Sequence, residues 1–292
     1  DELLRKRQNY IYLNCIPNSP LIQVEMTMKT YLAVCVLLWA FAGVKCYMDY
    51  PEGVAELREK TTITTSIVEQ MTQEIFQAQP VNCGVTMTAP TTTNLPMPSD
   101  DCDKAGLHLL RKAFREPNKF DYKSFLKTFW CSDVGSSLVN VFSKKNVSFD
   151  LLEKAMIDTW FKGCNEKNMP FLRIIVKSGK NPTEYANSWY TYAVRSEGKT
   201  DCEVVQEGSS IPLIVKAKCK GDQYFYSTFI YTNTPYEDLI IYTLCSWANY
   251  RNTEQCLVHV SGGTKKFHIS TAWALDGQGN YCLNEASPRM EQ

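Results

Sequence analysis

The sequence predicts an α+β protein in which a disulfide-tied helical segment precedes an antiparallel β meander. Apolar residues recur at helical spacing in residues 101–170, and they alternate with a period of two in residues 171–276. Twelve cysteines in a chain with an N-terminal secretion signal indicate covalent cross-links. The meander can form either a strongly twisted sheet or an up-and-down barrel.

The N-terminal segment is predicted to be removed before the protein matures. Residues 1–27 lack a clear periodicity and are predicted to be a translated leader. Residues 28–42 carry an apolar run behind Lys29 that is shorter than the roughly 20 residues needed to span a bilayer. Ala40 and Ala42 flank a typical cleavage position. We therefore expect a secreted, extracellular protein without membrane contact after cleavage; the alternative is a signal anchor.

The helical part follows a segment with little predicted structure. Residues 43–100 are rich in Thr and Pro and hold too few large apolar side chains to offset their ordering entropy, although residues 66–79 could form a short helix. In residues 101–170 we expect several helices, one capped by Asp121 and the last one begun by Asp150.

The β part is defined by alternation and by turn residues between the runs. Residues 277–292 are predicted to be a C-terminal tail. The candidate strands are residues 171–178, 188–196, 200–207, 210–219, 223–232, 238–247, 254–261 and 266–274.

The cysteines left after the leader and signal are even in number, which predicts that all are paired in five disulfides. They have no CxxC spacing and no His that would complete a metal-binding spacing, so neither a metal site nor a cofactor is expected. Asn146, in the sequon Asn146-Val147-Ser148, is predicted to be glycosylated. The cysteines predicted to be paired are Cys46, Cys83, Cys102, Cys131, Cys164, Cys202, Cys219, Cys245, Cys256 and Cys282.

The sequence contains no recognised catalytic motif, which predicts that the protein is not an enzyme. Two of the three histidines, His259 and His268, fall on one predicted hairpin where residue 259 faces residue 266. They are either a metal-binding or pH-sensitive pair, or two solvent-facing polar residues. The sequence favours the second interpretation because no third ligand is evident. The 31 basic and 31 acidic residues give no reason to expect nucleic acid as a partner.

Aromatic residues in two runs of the meander are candidates for binding a small ligand, if the strands close around a pocket. The alternative is an ordinary aromatic sheet core. These candidates are Trp189, Tyr190, Tyr192, Tyr224 and Tyr226.

The stretches CDKAGLHLLRKAF and FDYKSFLKTFWCSDVGSSLVNVF resemble the tick salivary immunosuppressant family first described as a lymphocyte-proliferation inhibitor. The resemblance covers residues 101–282. It implies a non-enzymatic salivary protein that binds host proteins or cell-surface targets and suppresses the immune response. The stretch WYTYAVRSEGKTDCEVVQ resembles the first strands of the tick lipocalins, although the usual Gly-x-Trp is absent. That second resemblance implies a scavenger of small mediators such as biogenic amines or lipids.

Overall fold

The computed structural model describes eleven parts of the chain. No helix in them is both long enough and apolar enough to cross a membrane. The predicted leader and signal, and most of the Thr/Pro-rich segment, lie outside the described residues. The described residues are 51–77, 101–162, 169–176, 188, 202–206, 213–219, 225–231, 234–250, 255–260, 266–275 and 281–289.

Helices make up the first half of the described chain and return once between the strands. A 3-10 turn, Pro117–Lys119, and a π-helical turn, Leu172–Val176, accompany them. The α-helices are α1 (Glu52–Lys60), α2 (Thr65–Gln77), α3 (Asp101–Arg115), α4 (Tyr122–Cys131), α5 (Asp133–Ser143), α6 (Phe149–Trp160) and α7 (Pro235–Ala248).

The described strands form two open, three-stranded antiparallel sheets, one on each side of α7 in the sequence. The predicted α+β class and the antiparallel pairing are therefore confirmed. A closed barrel is wrong for the described residues, because each sheet ends in unpaired edge strands. In order, the first sheet contains β1 (Cys202–Gln206), β2 (Leu213–Cys219) and β3 (Phe225–Tyr231), and the second contains β4 (Gln255–His259), β5 (Lys266–Leu275) and β6 (Tyr281–Arg289).

Side-chain caps fix several helix starts. Asp121 accepts hydrogen bonds from the backbone N–H groups of Lys123 and Ser124, as predicted for the start of α4. The cap predicted for α6 at Asp150 is two residues too late. Ser148 caps this helix by accepting from the N–H of Leu151, and Asp150 lies in the first turn.

Helix α7 replaces the strand predicted over residues 238–247. Thr234 and Glu237 form a capping box at its start, and Pro235 occupies the first turn. Every residue of α7 is buried. A helix that is apolar on all sides lacks the one-sided period of a surface helix, so its pattern resembles that of a buried strand.

Three other predictions also differ from the structure. The strand predicted over residues 171–178 contains the π-helical turn instead. The predicted tail contains β6, whose residues alternate irregularly because of a bulge opposite Ala272 and Trp273. Residues 51–77 form α1 and α2 rather than a weakly structured segment, and they bury Val54 and Leu57 completely. Helix α2 confirms the short helix considered for residues 66–79.

The core is centred on α7, which is held to α6 by a reciprocal pair of hydrogen bonds. The indole N–H of Trp160 donates to Thr243 Oγ1 at 2.8 Å, and the indole N–H of Trp247 donates to Thr159 Oγ1 at 2.8 Å. All four residues are fully buried. The bonds satisfy both indole donors, which burial would otherwise leave without water.

The cysteines do not all follow the prediction of five disulfides. Cys245 and Cys256 carry free, buried thiols, which contradicts the prediction that all ten cysteines are oxidised. Cys131 and Cys282 each take part in a disulfide. Cys202 lies directly opposite Cys219 in the register of β1 and β2. The side chain of Cys102, like those of Cys202 and Cys219, is outside the described part of the structure, and Cys46, Cys83 and Cys164 lie outside it entirely.

Candidate active site

The second sheet has one buried face and one half-open face. Along β4, Cys256 and Val258 point into the core, and His259 takes the opposite side. Along β5, Phe267 and Ile269 are buried, and His268 takes the same side as His259. We call this half-open side of β4, β5 and β6 the outer face.

The strand register brings both histidines together on the outer face. His259 lies opposite Lys266, and His268 lies opposite Leu257 on one neighbour and Arg289 on the other. His259 and His268 are therefore diagonal neighbours, with side chains that start roughly 7 Å apart. The predicted hairpin register is confirmed.

The favoured interpretation, two solvent-facing polar residues, is wrong for His259. The side chain of His259 is only 14% exposed, because α2 lies along the free edge of β4. The backbone N–H of His259 donates to Thr72 Oγ1 at 3.0 Å. This bond satisfies an edge donor that would otherwise lack a strand partner.

Helix α2 also contributes a carboxylate to the outer face. Glu69 lies one helical turn before Thr72, and its Oε1 is 2.5 Å from Lys266 Nζ. The same oxygen is 3.9 Å from His259 Nε2. The site therefore joins an acid, an amine and an imidazole from three different elements.

The charges of this cluster follow from its contacts. The hydrogen bond from Lys266 lowers the pKa of the Glu69 carboxyl, which outweighs the opposing effect of burial. Burial lowers the pKa of His259, the charge of Lys266 lowers it further, and Glu69 opposes both effects. At neutral pH, Glu69 is ionised and the imidazole of His259 is mainly neutral.

Each histidine has one buried ring nitrogen without a hydrogen bond to the described residues. These atoms are His259 Nε2 and His268 Nδ1. A buried polar atom without a partner costs about 1–3 kcal/mol, so it is expected where a ligand or a water completes the site. A neutral imidazole nitrogen can donate or accept a proton, depending on its tautomer.

The third histidine is separate from this cluster. His108 is exposed on α3, whereas His259 and His268 are on strands of the second sheet. Within the described ranges, no group of three or more His, Cys, Asp or Glu side chains is placed to hold a metal ion.

The remaining predicted site residues lie elsewhere. Asn146 is exposed in a left-handed turn with φ of 59°, which is accessible to a modifying enzyme, and its glycosylation stays a prediction. Tyr226 is in β3 opposite Lys218, but its side chain is not described. Trp189, Tyr190, Tyr192 and Tyr224 lie outside the described residues.

Sequence reasoning missed the part that Glu69 and Thr72 play. Both residues are in α2, almost 200 positions before the hairpin that they contact, and no local pattern links the two segments. The position of Lys266 opposite His259 did follow from the predicted hairpin, but its contact with Glu69 did not.

The architecture is similar to that of a protein of known structure. XendoU, described as a splicing independent snoRNA processing endoribonuclease, superposes with a TM-score of 0.52 at 11% sequence identity. The match covers 77% of this chain and 97% of that chain. The two proteins share a fold. No protein-family model matches the chain, and no curated protein matches it at a significant level.

The likeness to XendoU corrects the predicted function. The sequence predicted a non-enzymatic protein that suppresses host immunity by binding host targets, or else a scavenger of small mediators. A fold shared with an endoribonuclease contradicts both, and it contradicts the prediction that the protein is not an enzyme. The tick salivary origin and the secreted location stay predictions.

Proposed function

We propose that this protein is an endoribonuclease that cleaves RNA by proton transfer on the outer face. His259 and His268 are the proton-transfer pair, and Lys266 binds the phosphate. The observation that carries the proposal is the diagonal placement of the two histidines on one sheet face of an endoribonuclease-like fold.

The proposed chemistry uses the 2′-hydroxyl of RNA as its nucleophile. A base removes the hydroxyl proton, the oxygen attacks the adjacent phosphorus, and an acid protonates the departing 5′ oxygen. His259 suits the role of base because its lowered pKa keeps the imidazole mainly neutral at pH 7. His268 then supplies the proton to the leaving group.

Cationic side chains on the outer face can hold the phosphate between the two rings. Lys266 is 44% exposed and lies directly opposite His259. Arg289 lies opposite His268, and its Nη2 is 3.2 Å from Ser270 Oγ. Preorganised cations that face a developing charge are a major source of stabilisation in phosphoryl chemistry.

The proposal departs from the expectation that nucleic acid is not a partner. That expectation used the overall balance of 31 basic and 31 acidic residues. Phosphate binding depends on a few local cations rather than on net charge. A neutral protein can therefore bind RNA at one face.

The test is a cleavage assay with the purified protein, a 5′-fluorescent single-stranded RNA and a DNA of the same sequence. We expect cleavage of the RNA and no cleavage of the DNA, because DNA lacks the 2′-hydroxyl. A mixed DNA oligonucleotide with one ribonucleotide should be cut only at the bond after that residue.

Two results would contradict the proposal. One is folded protein that leaves the RNA intact between pH 5 and pH 8. The other is cleavage of DNA at the same rate as RNA, because the nucleophile would then not be the 2′-hydroxyl. Binding of RNA without cleavage would retain RNA as the partner but remove the enzymatic claim.

A further inference from the structure

Helix α2 brings a carboxylate to the outer face, and a backbone contact fixes its position there. The backbone N–H of His259 donates to Thr72 Oγ1 at 3.0 Å, which holds α2 along the edge of β4. Glu69 precedes Thr72 by three residues, so both side chains leave the same face of the helix. The docking of α2 therefore places Glu69 over the outer face.

Glu69 contacts two of the groups that the proposed reaction uses. Its Oε1 is 2.5 Å from Lys266 Nζ, which makes a hydrogen-bonded ion pair. The same oxygen is 3.9 Å from His259 Nε2. That distance is too long for a hydrogen bond, but two charges this close attract each other, and the ring of His259 is largely shielded from water.

We propose that Glu69 is a positioning residue of the outer face, which holds Lys266 beside His259 and stabilises the charge that His259 gains when it takes a proton. This role rests on the proposed RNA cleavage. Glu69 does not touch the RNA in this scheme and acts through its two neighbours.

The ion pair fixes a side chain that would otherwise be flexible. The ammonium of Lys266 is at the end of a four-carbon stem, which loses rotamer freedom when it is held in one place. Glu69 imposes that loss before the substrate binds. An ammonium has three hydrogens, so the bond to Glu69 leaves two that can donate to a phosphate. Lys266 remains exposed, which leaves room for that contact.

The same carboxylate acts on the imidazole of His259. A carboxylate nearest to Nε2 favours the tautomer with its proton on that nitrogen, which leaves Nδ1 to accept the proton of the 2′-hydroxyl. The ring then becomes a cation next to Lys266. Burial and the charge of Lys266 lower the pKa of His259, and the charge of Glu69 raises it. Glu69 therefore offsets part of the cost of protonating the ring.

The other ionisable groups around His259 do not supply this negative charge. His268 is its diagonal neighbour on β5 and is neutral or cationic. Glu74, the other carboxylate of α2, pairs with Lys144 of α5. Helix α7 packs against the opposite, buried face of the sheet, so its acidic residues do not face the ring. The charge on the outer face beside His259 is therefore that of Glu69.

The first test follows the imidazole without RNA. Because the chain has three histidines, proton NMR of the full-length protein gives three Cε1–H signals, which His108→Gln, His259→Gln and His268→Gln assign. We expect Glu69→Gln to move the titration midpoint of His259 to lower pH, because the lost charge favoured the imidazolium. Glu74→Gln removes the same charge from the same helix and should leave that midpoint unchanged.

The second test measures single-turnover cleavage of a single-stranded RNA over a range of pH. Glu69→Gln should lose up to about 10²-fold in the maximal rate, because Lys266 is no longer held in place. The acidic limb of its pH–rate profile should move to lower pH with the pKa of His259. The half-saturating concentration should not rise, because loss of a carboxylate does not weaken the attraction of a phosphate. Glu74→Gln should behave as wild type.

The two tests fail in different ways. An unchanged His259 midpoint in Glu69→Gln would overturn the inference, whether or not the wild type cleaves RNA. An equal shift in Glu74→Gln would also overturn it, because looser docking of α2 would then explain the effect. A wild type that leaves RNA intact would contradict the proposed function instead, and a lower midpoint in Glu69→Gln would still support the action of Glu69 on His259.

Discussion

The reciprocal bonds between α6 and α7 give a direct test of the core. We predict that Thr243→Val destabilises the protein although valine has nearly the same shape as threonine. The substitution removes the oxygen that accepts the indole N–H of Trp160 at 2.8 Å, and Trp160 is fully buried. A buried donor left without an acceptor costs about 1–3 kcal/mol of unfolding free energy. The backbone carbonyl of Leu239 also accepts a hydrogen bond from this hydroxyl. It remains within the helix, so the loss of that bond costs little free energy.

The measurement is urea unfolding followed by far-ultraviolet circular dichroism, with Thr243→Ser as the matched control. Serine keeps the hydroxyl and loses one methyl group, which costs about 0.5–1.5 kcal/mol. We therefore expect valine to cost more than serine. A valine variant as stable as wild type, or a serine variant that is less stable than the valine variant, would refute the reasoning.

Three further predictions concern other parts of the molecule. Gly53→Ala should cost about 1–3 kcal/mol in thermal or urea unfolding, because the new methyl would lie 2.8 Å from the backbone nitrogen of Ala155; an unchanged midpoint would contradict the close packing of α1 on α6. Because the pKa of His259 is lower in the folded than in the unfolded chain, the unfolded state binds more protons just below pH 6.5, so stability should fall there on acidification. His259→Gln should reduce that fall. An identical dependence of stability on pH in wild type and variant would contradict this prediction. Asn146→Gln should remove a glycosidase-sensitive mass from protein made in secretory cells, and equal masses for wild type and variant would end the glycosylation prediction.

Local signals predicted much of the fold. The cap at Asp121 and the alternation in β2 and β5 come from neighbouring residues, so the sequence alone is enough to find them. Helix α7 could not be found from periodicity, because its burial on every side hides the helical pattern. The capping box of Thr234 and Glu237 and the proline in the first turn are the local signs of its start.

The candidate site could be predicted only in part. The pairing of His259 with residue 266 follows from a hairpin, and it was predicted correctly. The contribution of Glu69 could not be predicted, because it depends on the docking of α2 against a strand far away in the sequence. The same docking buries His259. Because the docking cannot be read from the local sequence, the sequence indicated a solvent-facing residue.

The measurement that tests the central claim most directly is the single-turnover rate of RNA cleavage by His259→Ala and His268→Ala. The matched control is His108→Ala, which removes an exposed histidine on α3 outside the site. The proposed acid–base roles predict a loss of about 10²–10⁴-fold for each of the first two variants and no change for the control. Wild-type rates in both outer-face variants, with all three proteins folded, would contradict the proposal that these two histidines cleave RNA.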